Sequence, residues 1–290
     1  MSASNNASGD EKAYFIDAEN VAEMARLAMQ DRLTTKAMGG LLPEQANLSA
    51  IHDILDIACG PGAWALDMAQ AFPQKRVTGI DISRLMVEYA QAQAREKDLH
   101  NATFQVMDAL NPLEFADNSF DLVNARFITG FMSKAAWPLL VRECTRILRP
   151  GGILRLTECE SPLTNSKGSE RMYEMLAQAL ARADRIFSVD GRHIGITPVL
   201  GRLLHDAGFV AIQKMSHVID YSFGTEAHAG CYQDVMTFLK LLQPFFVNVG
   251  VTTQEEANRL YLQTLEEMRS ENFCGIFFFL TAWGMKPKEA

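Results

Sequence analysis

The chain lacks the features that would mark several large protein classes. It has five cysteines in 290 residues (Cys59, Cys144, Cys159, Cys231 and Cys274), with no C-x-x-C pair and no histidine at ligand spacing. That argues against a disulfide framework and against a zinc site, so no metal is expected and reduced thiols in a cytoplasmic protein are the reading. There is no basic excess: 27 lysines and arginines face 35 acids, a formal charge of −8, and no dense basic stripe runs along the chain. Such a surface is poorly suited to gripping a phosphate backbone, and no nucleic-acid partner is expected. Long apolar runs are missing too. The most apolar stretch, Cys274 to Trp283, is about ten residues long, too short to span a bilayer. The first residues, MSASNNASGDEK, are small and polar, unlike a signal peptide, and residues 1–10 read as a disordered tail.

What is present is a hydrophobic content of 48%, enough for a substantial core. A helix is expected over Ala18–Met38, with Ala22, Ala25, Leu27, Ala28 and Met29 on its apolar face and Gly39-Gly40 as its stop. From Ile51 short β-rich runs alternate with amphipathic helices: DILDIA, KRVTGID, ATFQVMD, FDLVNA and GGILRLTE, counted as five strand–helix units by residue 158. This alternation predicts an α/β fold, a mostly parallel sheet with helices on both faces. Further on, helices are expected over 170–187 and 199–207, a strand at AIQKMSHVIDYS, two helices within 226–272 and a closing strand at GIFFFLTAW. The organisation is thus a tail (1–10), an N-terminal helical segment (11–49) and one domain (50–290) with helical inserts at about 160–206 and 222–274.

The first chemical signal is ILDIACGPGAWALDMA, residues 54–69. A buried strand ends near Asp56, and Gly60 and Gly62 turn the chain into a helix where a Cβ would block close approach of a ligand. Alone, G-x-G-x-x-A also fits a dinucleotide fold. Asp81 closes the next strand 25 residues later, where a carboxylate can accept hydrogen bonds from both ribose hydroxyls. Asp108-Ala109 closes the third strand, and FDLVNARF and LRPGGILRLTE follow. Each acid has a plainer reading: Asp56 and Asp108 as turn or capping acids, Asp81 as the cap of the helix that follows.

The set in this order, over residues 50–160, resembles class I S-adenosylmethionine-dependent methyltransferases, nearest to the ubiquinone/menaquinone-type enzymes that act on small molecules. The resemblance implies a Rossmann-like, seven-stranded sheet and S-adenosyl-L-methionine as methyl donor. It implies donor contacts from Asp56, Ala58, Gly60 and Gly62 at the glycine turn, and from Asp81, Ile82 and Met86 after the second strand. Asp108 and Ala109 would serve the adenine, Asn124 would add to the floor, and Tyr14 would cover the methionine end.

Ligands of open α/β sheets sit at the carboxyl ends of the strands, so Arg126 and Phe127 are candidate contacts for the acceptor, with Phe15 beside them. Arg126 is equally readable as a structural ion pair. Glu158 and His193 are the candidate general bases; the alternatives are a solvated or capping acid and an exposed loop histidine. Aromatic and methionine residues of the inserts (Met172, Tyr173, Met175, Phe187, Tyr232, Met236, Phe238, Phe245, Phe246) either wall an apolar acceptor pocket or form plain core. The N-terminal helix must bury one face, over the donor or against a second subunit of a homo-oligomer. The function expected is methyl transfer to a small, fairly hydrophobic organic acceptor. The alternatives are a methyltransferase acting on protein or RNA, and a donor-binding protein that has lost its chemistry.

Overall fold

A computed structural model describes residues 14–288; the tail expected at residues 1–10 lies outside the described residues. Helix α1 (Val21–Met38) begins three residues later than the sequence suggests. Asn20 caps it, its side chain accepting from the amides of Ala22 and Glu23, and Gly39 closes it in the left-handed conformation at φ 86°.

The alternating core follows: β1 (Asp53–Ile57), α2 (Ala63–Ala71), β2 (Arg76–Asp81), α3 (Arg84–Glu96), β3 (Ala102–Val106), β4 (Phe120–Arg126), α4 (Ala136–Ile147) and β5 (Leu148–Cys159). The third unit lacks its helix: residues 107–119 join β3 to β4 as a loop. By residue 158 the chain has therefore completed three strand–helix units, β1–α2, β2–α3 and β4–α4, with β5 still unaccompanied, where five were expected. The latter part is β6 (Leu163–Thr164), α5 (Lys167–Arg182), α6 (Leu200–Asp206), β7 (Val210–Asp220), α7 (His228–Asn248), α8 (Gln254–Met268) and β8 (Gly275–Met285).

The strands lie in the order β3-β2-β1-β4-β5-β8, with β6 and β7 both pairing with β8. The first five are parallel, and β8 runs antiparallel to β5, β6 and β7. The sheet has eight strands, where seven were expected. The extra one, β6, is two residues long, below what a hydrophobic pattern can announce. Strand β5 also starts at Leu148, ahead of the Pro150-Gly151-Gly152 turn, and its pairing with β4 shifts register there.

Period-two alternation divides the core. Ile54, Val77 and Leu122 pack under α2 and α3 with Trp64 and Phe104. Leu55, Ile57, Ile80 and Val123 face the opposite way, into a larger core shared with α4, α5 and α7. No described helix is long and apolar enough to cross a membrane.

The apolar face expected on α1 is overturned. Ala22 and Ala25 are exposed, and the helix buries Glu23, Arg26, Asp31, Thr34 and Met38. Its buried charges pair with Asp234 of α7 and with Arg126 at the end of β4, a face that apolar periodicity does not report.

Gly62 carries the α2–α3 junction. Its φ is +77°, and a Cβ there would stand 2.7 Å from Ala90 Cβ and 2.8 Å from the Phe104 ring. The left-handed penalty and the overpacking together put Gly62→Ala at about 2 to 4 kcal/mol of destabilisation. Urea unfolding should show this as a lower midpoint at unchanged slope; an unshifted midpoint would contradict the packing described.

Candidate active site

A cavity of about 440 Å³ opens at the carboxyl ends of β1, β2, β4 and β5, where open α/β sheets bind ligands. Its roof is the N-terminal segment and α1, and its far wall comes from α5 and α7. The glycine turn forms one end. Beyond Ile57 the backbone adopts left-handed angles at Ala58 (φ 53°) and Gly60 (φ 53°). The space a Gly60 Cβ would occupy is open, with only Leu27 Cδ1 at 3.6 Å. Asp81 staples this turn: its Oδ2 accepts from the Gly60 amide at 2.8 Å and its Oδ1 from the Ser83 amide at 2.9 Å. Burial pushes its carboxyl above the usual range, against the pull of those amides. Asp108 organises its own loop, accepting from the Leu110 amide and the Asn111 side chain. The turn-acid reading thus holds for Asp108, while the capping reading of Asp81 does not, since Ser83 caps α3; both acids line the cavity, as do Ala58, Gly60, Ile82, Met86 and Ala109.

Two expected donor contacts lie elsewhere. Gly62 is the α2 cap and does not line the cavity; its missing Cβ serves helix packing. Asn124 is fully buried beneath the floor, donating to Asp56 Oδ1 at 2.7 Å and accepting from Arg155 Nη1 at 2.7 Å. Asp56 itself lines the cavity, and burial raises its carboxyl to about 7.

Tyr14 and Phe15 stack at 4.8 Å and rest on Gly130, where a Cβ would come within 2.8 Å of both rings. The Tyr14 hydroxyl donates to Glu23. Phe127 also lines the cavity, at φ 56°. Arg126 lines it too, but its guanidinium is committed to Asp31 and to Thr35 Oγ1. The structural ion pair is therefore its main role, fastening α1 to the end of β4.

Glu158 is 1% exposed. Its Oε1 accepts from the Ile128 amide at 2.7 Å and its Oε2 from the Thr129 hydroxyl at 2.9 Å, which fixes the 3-10 turn Ile128–Gly130. With both oxygens engaged it is a turn anchor, and burial raises its carboxyl to about 8. His193 is exposed in the loop after α5 and does not line the cavity; only its neighbour Ile194 does. The structure corrects the reading of His193 as a base: the loop directs the apolar residue inward and the polar one to solvent.

Of the aromatic and methionine residues of the inserts, Tyr173 and Phe238 line the cavity. Met172, Met175 and Phe246 are core, Phe245 packs on Phe15, and Tyr232 and Met236 face a separate shallow groove. Sequence reasoning missed Arg26, Asp31 and Asp234, and placed Glu160 beside the site, where it lines the cavity. The signal was there for the first two: Glu23, Arg26, Asp31 and Thr34 form a polar stripe at helical spacing.

Among the described residues, nine carboxylic acids and two arginines line this cavity. Such a lining favours a ligand carrying positive charge and opposes a pyrophosphate, the ligand of the rival dinucleotide reading.

Comparisons with known proteins agree with the geometry. A model described as a methyltransferase domain matches residues 54–152. A demethylmenaquinone methyltransferase of Listeria welshimeri is 29% identical over 177 residues, 57% of this chain and 73% of that protein. Methyltransferase pytC of Aspergillus terreus is 26% identical over 245 residues, 81% and 71% of the two chains. The fold is shared with the YcgJ protein of Bacillus subtilis (TM-score 0.54, 20% identity, 88% and 99% covered).

The raised Glu158 carboxyl makes stability depend on pH. A folded value of about 8 against an ordinary 4.5 means that its contribution is complete below 4.5 and is lost as pH rises through 8. Glu158→Gln removes the titration. Between those limits wild type should lose stability faster than the variant, by up to about 1.4 kcal/mol per pH unit. Parallel stability–pH curves from chemical denaturation would refute the assignment.

Proposed function

Because the chain is a class I S-adenosylmethionine-dependent methyltransferase, we propose that it methylates a small, largely apolar organic acceptor enclosed between the sheet edge and the helices above it. The observation that carries this reading is the division of the cavity. Its glycine-turn end is polar and acidic, while at its deep end Phe127, Tyr173, Leu176, Val235, Phe238 and Phe277 form apolar walls around the carboxyls of Glu158, Glu160 and Asp234. The volume lies within the range that holds one small-molecule complex.

The residues present fit the donor. Asp81 has lone pairs to spare for a ribose diol, and Asp108 with Ala109 borders the adenine end. Asp31 and Arg126 form an opposite-charge pair near the glycine turn, and Asp31 Oδ2 is buried without a partner. That pair complements the ammonium and carboxylate of an amino acid. When bound, the donor supplies an electrophilic methyl group on a sulfonium.

The chain's own contribution is positional. Tyr14, Phe15 and α1 close the roof and exclude water, and Met86 and Ile82 flank the nucleoside region. The lining acids favour the sulfonium over its neutral product, which assists product release. The relative named for demethylmenaquinone supports an apolar ring as acceptor.

Two measurements test this reading. Asp81→Ala should weaken S-adenosylhomocysteine binding by about 1.5 to 3 kcal/mol, the range for lost charge-assisted hydrogen bonds. Unchanged affinity by calorimetry would remove Asp81 from the donor site. Second, a sulfonium placed among Asp56, Glu158 and their neighbours should drive off protons from the carboxyls that burial holds at about 7 and about 8. Calorimetry near neutral pH in buffers of different ionisation enthalpy should therefore show proton release with S-adenosylmethionine and less with S-adenosylhomocysteine, which lacks the sulfonium charge. Equal release would mean that the sulfonium lies away from these acids.

A further inference from the structure

The deep end of the cavity is bordered by three carboxylic acids, and they are not equivalent. Both oxygens of Glu158 are taken by the Ile128–Gly130 turn. Glu160 is likewise spent: its Oε2 accepts from the Gly195 amide at 2.8 Å, and its Oε1 from the amide and hydroxyl of Thr197. Asp234, on α7, differs. Its Oδ1 accepts from Arg26 Nη1 at 2.9 Å, while Oδ2 receives no hydrogen bond among the described residues. The side chain keeps 17% of its surface accessible along the cavity it lines. Burial raises the Tyr173 hydroxyl and the Cys159 and Cys231 thiols around that end, with a smaller contribution from Asp234, whose own carboxyl is also raised by burial.

Arg26, the only cation among the described residues lining this end, is already outnumbered. Arg26 donates through Nε and Nη2 to Glu23 at 2.7 and 2.8 Å and through Nη1 to Asp234. One guanidinium shared by two carboxylates leaves a net negative charge in a site where water is scarce. The second cation of the cavity, Arg126, is bound to Asp31 at the glycine-turn end. An anionic acceptor entering the chamber would stand beside Asp234 and Glu160, with Glu158 held near neutrality by burial and no free counter-charge among the described lining residues, an arrangement that buried electrostatics penalises heavily.

We propose that Asp234 is a catalytic residue whose Oδ2 receives the hydrogen of the acceptor's hydroxyl or amino group, and that the chamber admits uncharged or cationic head groups while excluding carboxylates and phosphates. This rests on the reading of the cavity as an apolar acceptor site. In the transfer, the acceptor's O–H or N–H proton passes to Asp234 Oδ2. The electron pair left on the acceptor forms the bond to the methyl carbon, and the carbon–sulfur pair stays on sulfur as the sulfonium becomes a thioether. The proton then leaves Asp234 to solvent as product departs. Arg26 is a positioning residue: clamped by Glu23 and lying 5.0 Å over the Phe238 ring, it fixes which Asp234 oxygen is free.

The test uses the full chain saturated with S-adenosylhomocysteine, titrated by calorimetry with three ligands of one ring and different head groups: naphthol, naphthylmethylamine and naphthoate. Wild type should bind the hydroxyl and ammonium forms at least about tenfold more tightly than the carboxylate. In Asp234→Asn the gap between ammonium and carboxylate should shrink by about tenfold or more. Asp234→Glu, which keeps the charge, should retain the wild-type order. Should the Asn variant fail to fold, the wild-type order still decides. Carboxylate bound equally or best, or an Asn variant with the gap intact, overturns this inference alone. Binding of none of the three overturns the apolar-acceptor reading and this inference with it.

Discussion

A guanidinium withdrawn from water must be met by carboxylates, and much of this molecule's active-site architecture follows from one such encounter. Arg26 is 3% exposed and sits between Glu23 of its own helix and Asp234 of α7. Removing one partner of a buried pair leaves an uncompensated charge, at a cost of about 3 to 5 kcal/mol. The N-terminal helix is therefore held at a defined place and rotation over the sheet, which a greasy interface tolerant of sliding would not ensure. Asp31 repeats the device one end further on, against Arg126 at the tip of β4. Between these two clamps lie Leu27 and Gln30, the residues of α1 that roof the cavity.

A second polar chain braces the site from below. Asp56, Asn124 and Arg155 occupy paired positions on β1, β4 and β5, so their side chains line up in a row across the sheet. Glu44 closes the row by accepting from Arg155 Nε at 2.6 Å, both side chains being fully buried. Glu44 belongs to the segment that follows α1, the same segment whose Leu41 carbonyl accepts from the Trp64 indole. One stretch of chain, residues 14–51, thus crosses above the glycine turn and then returns beneath it. The turn has no freedom to widen unless one of these buried pairs is broken. Preorganisation of that kind is what a methyl transfer needs, because alignment and water exclusion do much of the work.

The parts of this arrangement legible in the sequence are those whose cause is local. The glycine turn, the acids ending β2 and β3 and the alternation of strand and helix depend on spacings of a few residues, and they stand where expected. The misreadings have partners far away. Arg26 meets Asp234 across 208 positions and Arg126 meets Asp31 across 95, so neither pairing could be inferred from a window. That is why α1 was expected to bury alanines, and why the sequence left Arg126 equally readable as an acceptor contact and as an ion pair. Glu158 was placed at the right strand end, but its two oxygens are consumed by a turn 29 and 30 residues earlier. Asn124 carries the right side chain on the wrong side of the floor: strand position alone gives no depth relative to a ligand.

The acids of the cavity illustrate how one residue type can satisfy two demands at once. The loops after β1, β3 and β4 and the loop between α5 and α6 leave backbone amides that no strand or helix can pair. Asp81, Asp108, Glu158 and Glu160 accept from those amides, each charged hydrogen bond contributing about 1.5 to 3 kcal/mol. Neutral asparagine or glutamine could staple the same loops. What carboxylates add is a summed negative potential in an enclosed space, and the protein tolerates it by holding the most buried members, Asp56 and Glu158, near neutrality. An incoming cation reverses that balance: it ionises these groups, and each ionised carboxylate then grips both its loop and the cation more strongly. Loop order and donor binding are coupled through the same oxygens, so a cavity built for structural reasons from acids becomes selective for a sulfonium without any residue dedicated to recognising it.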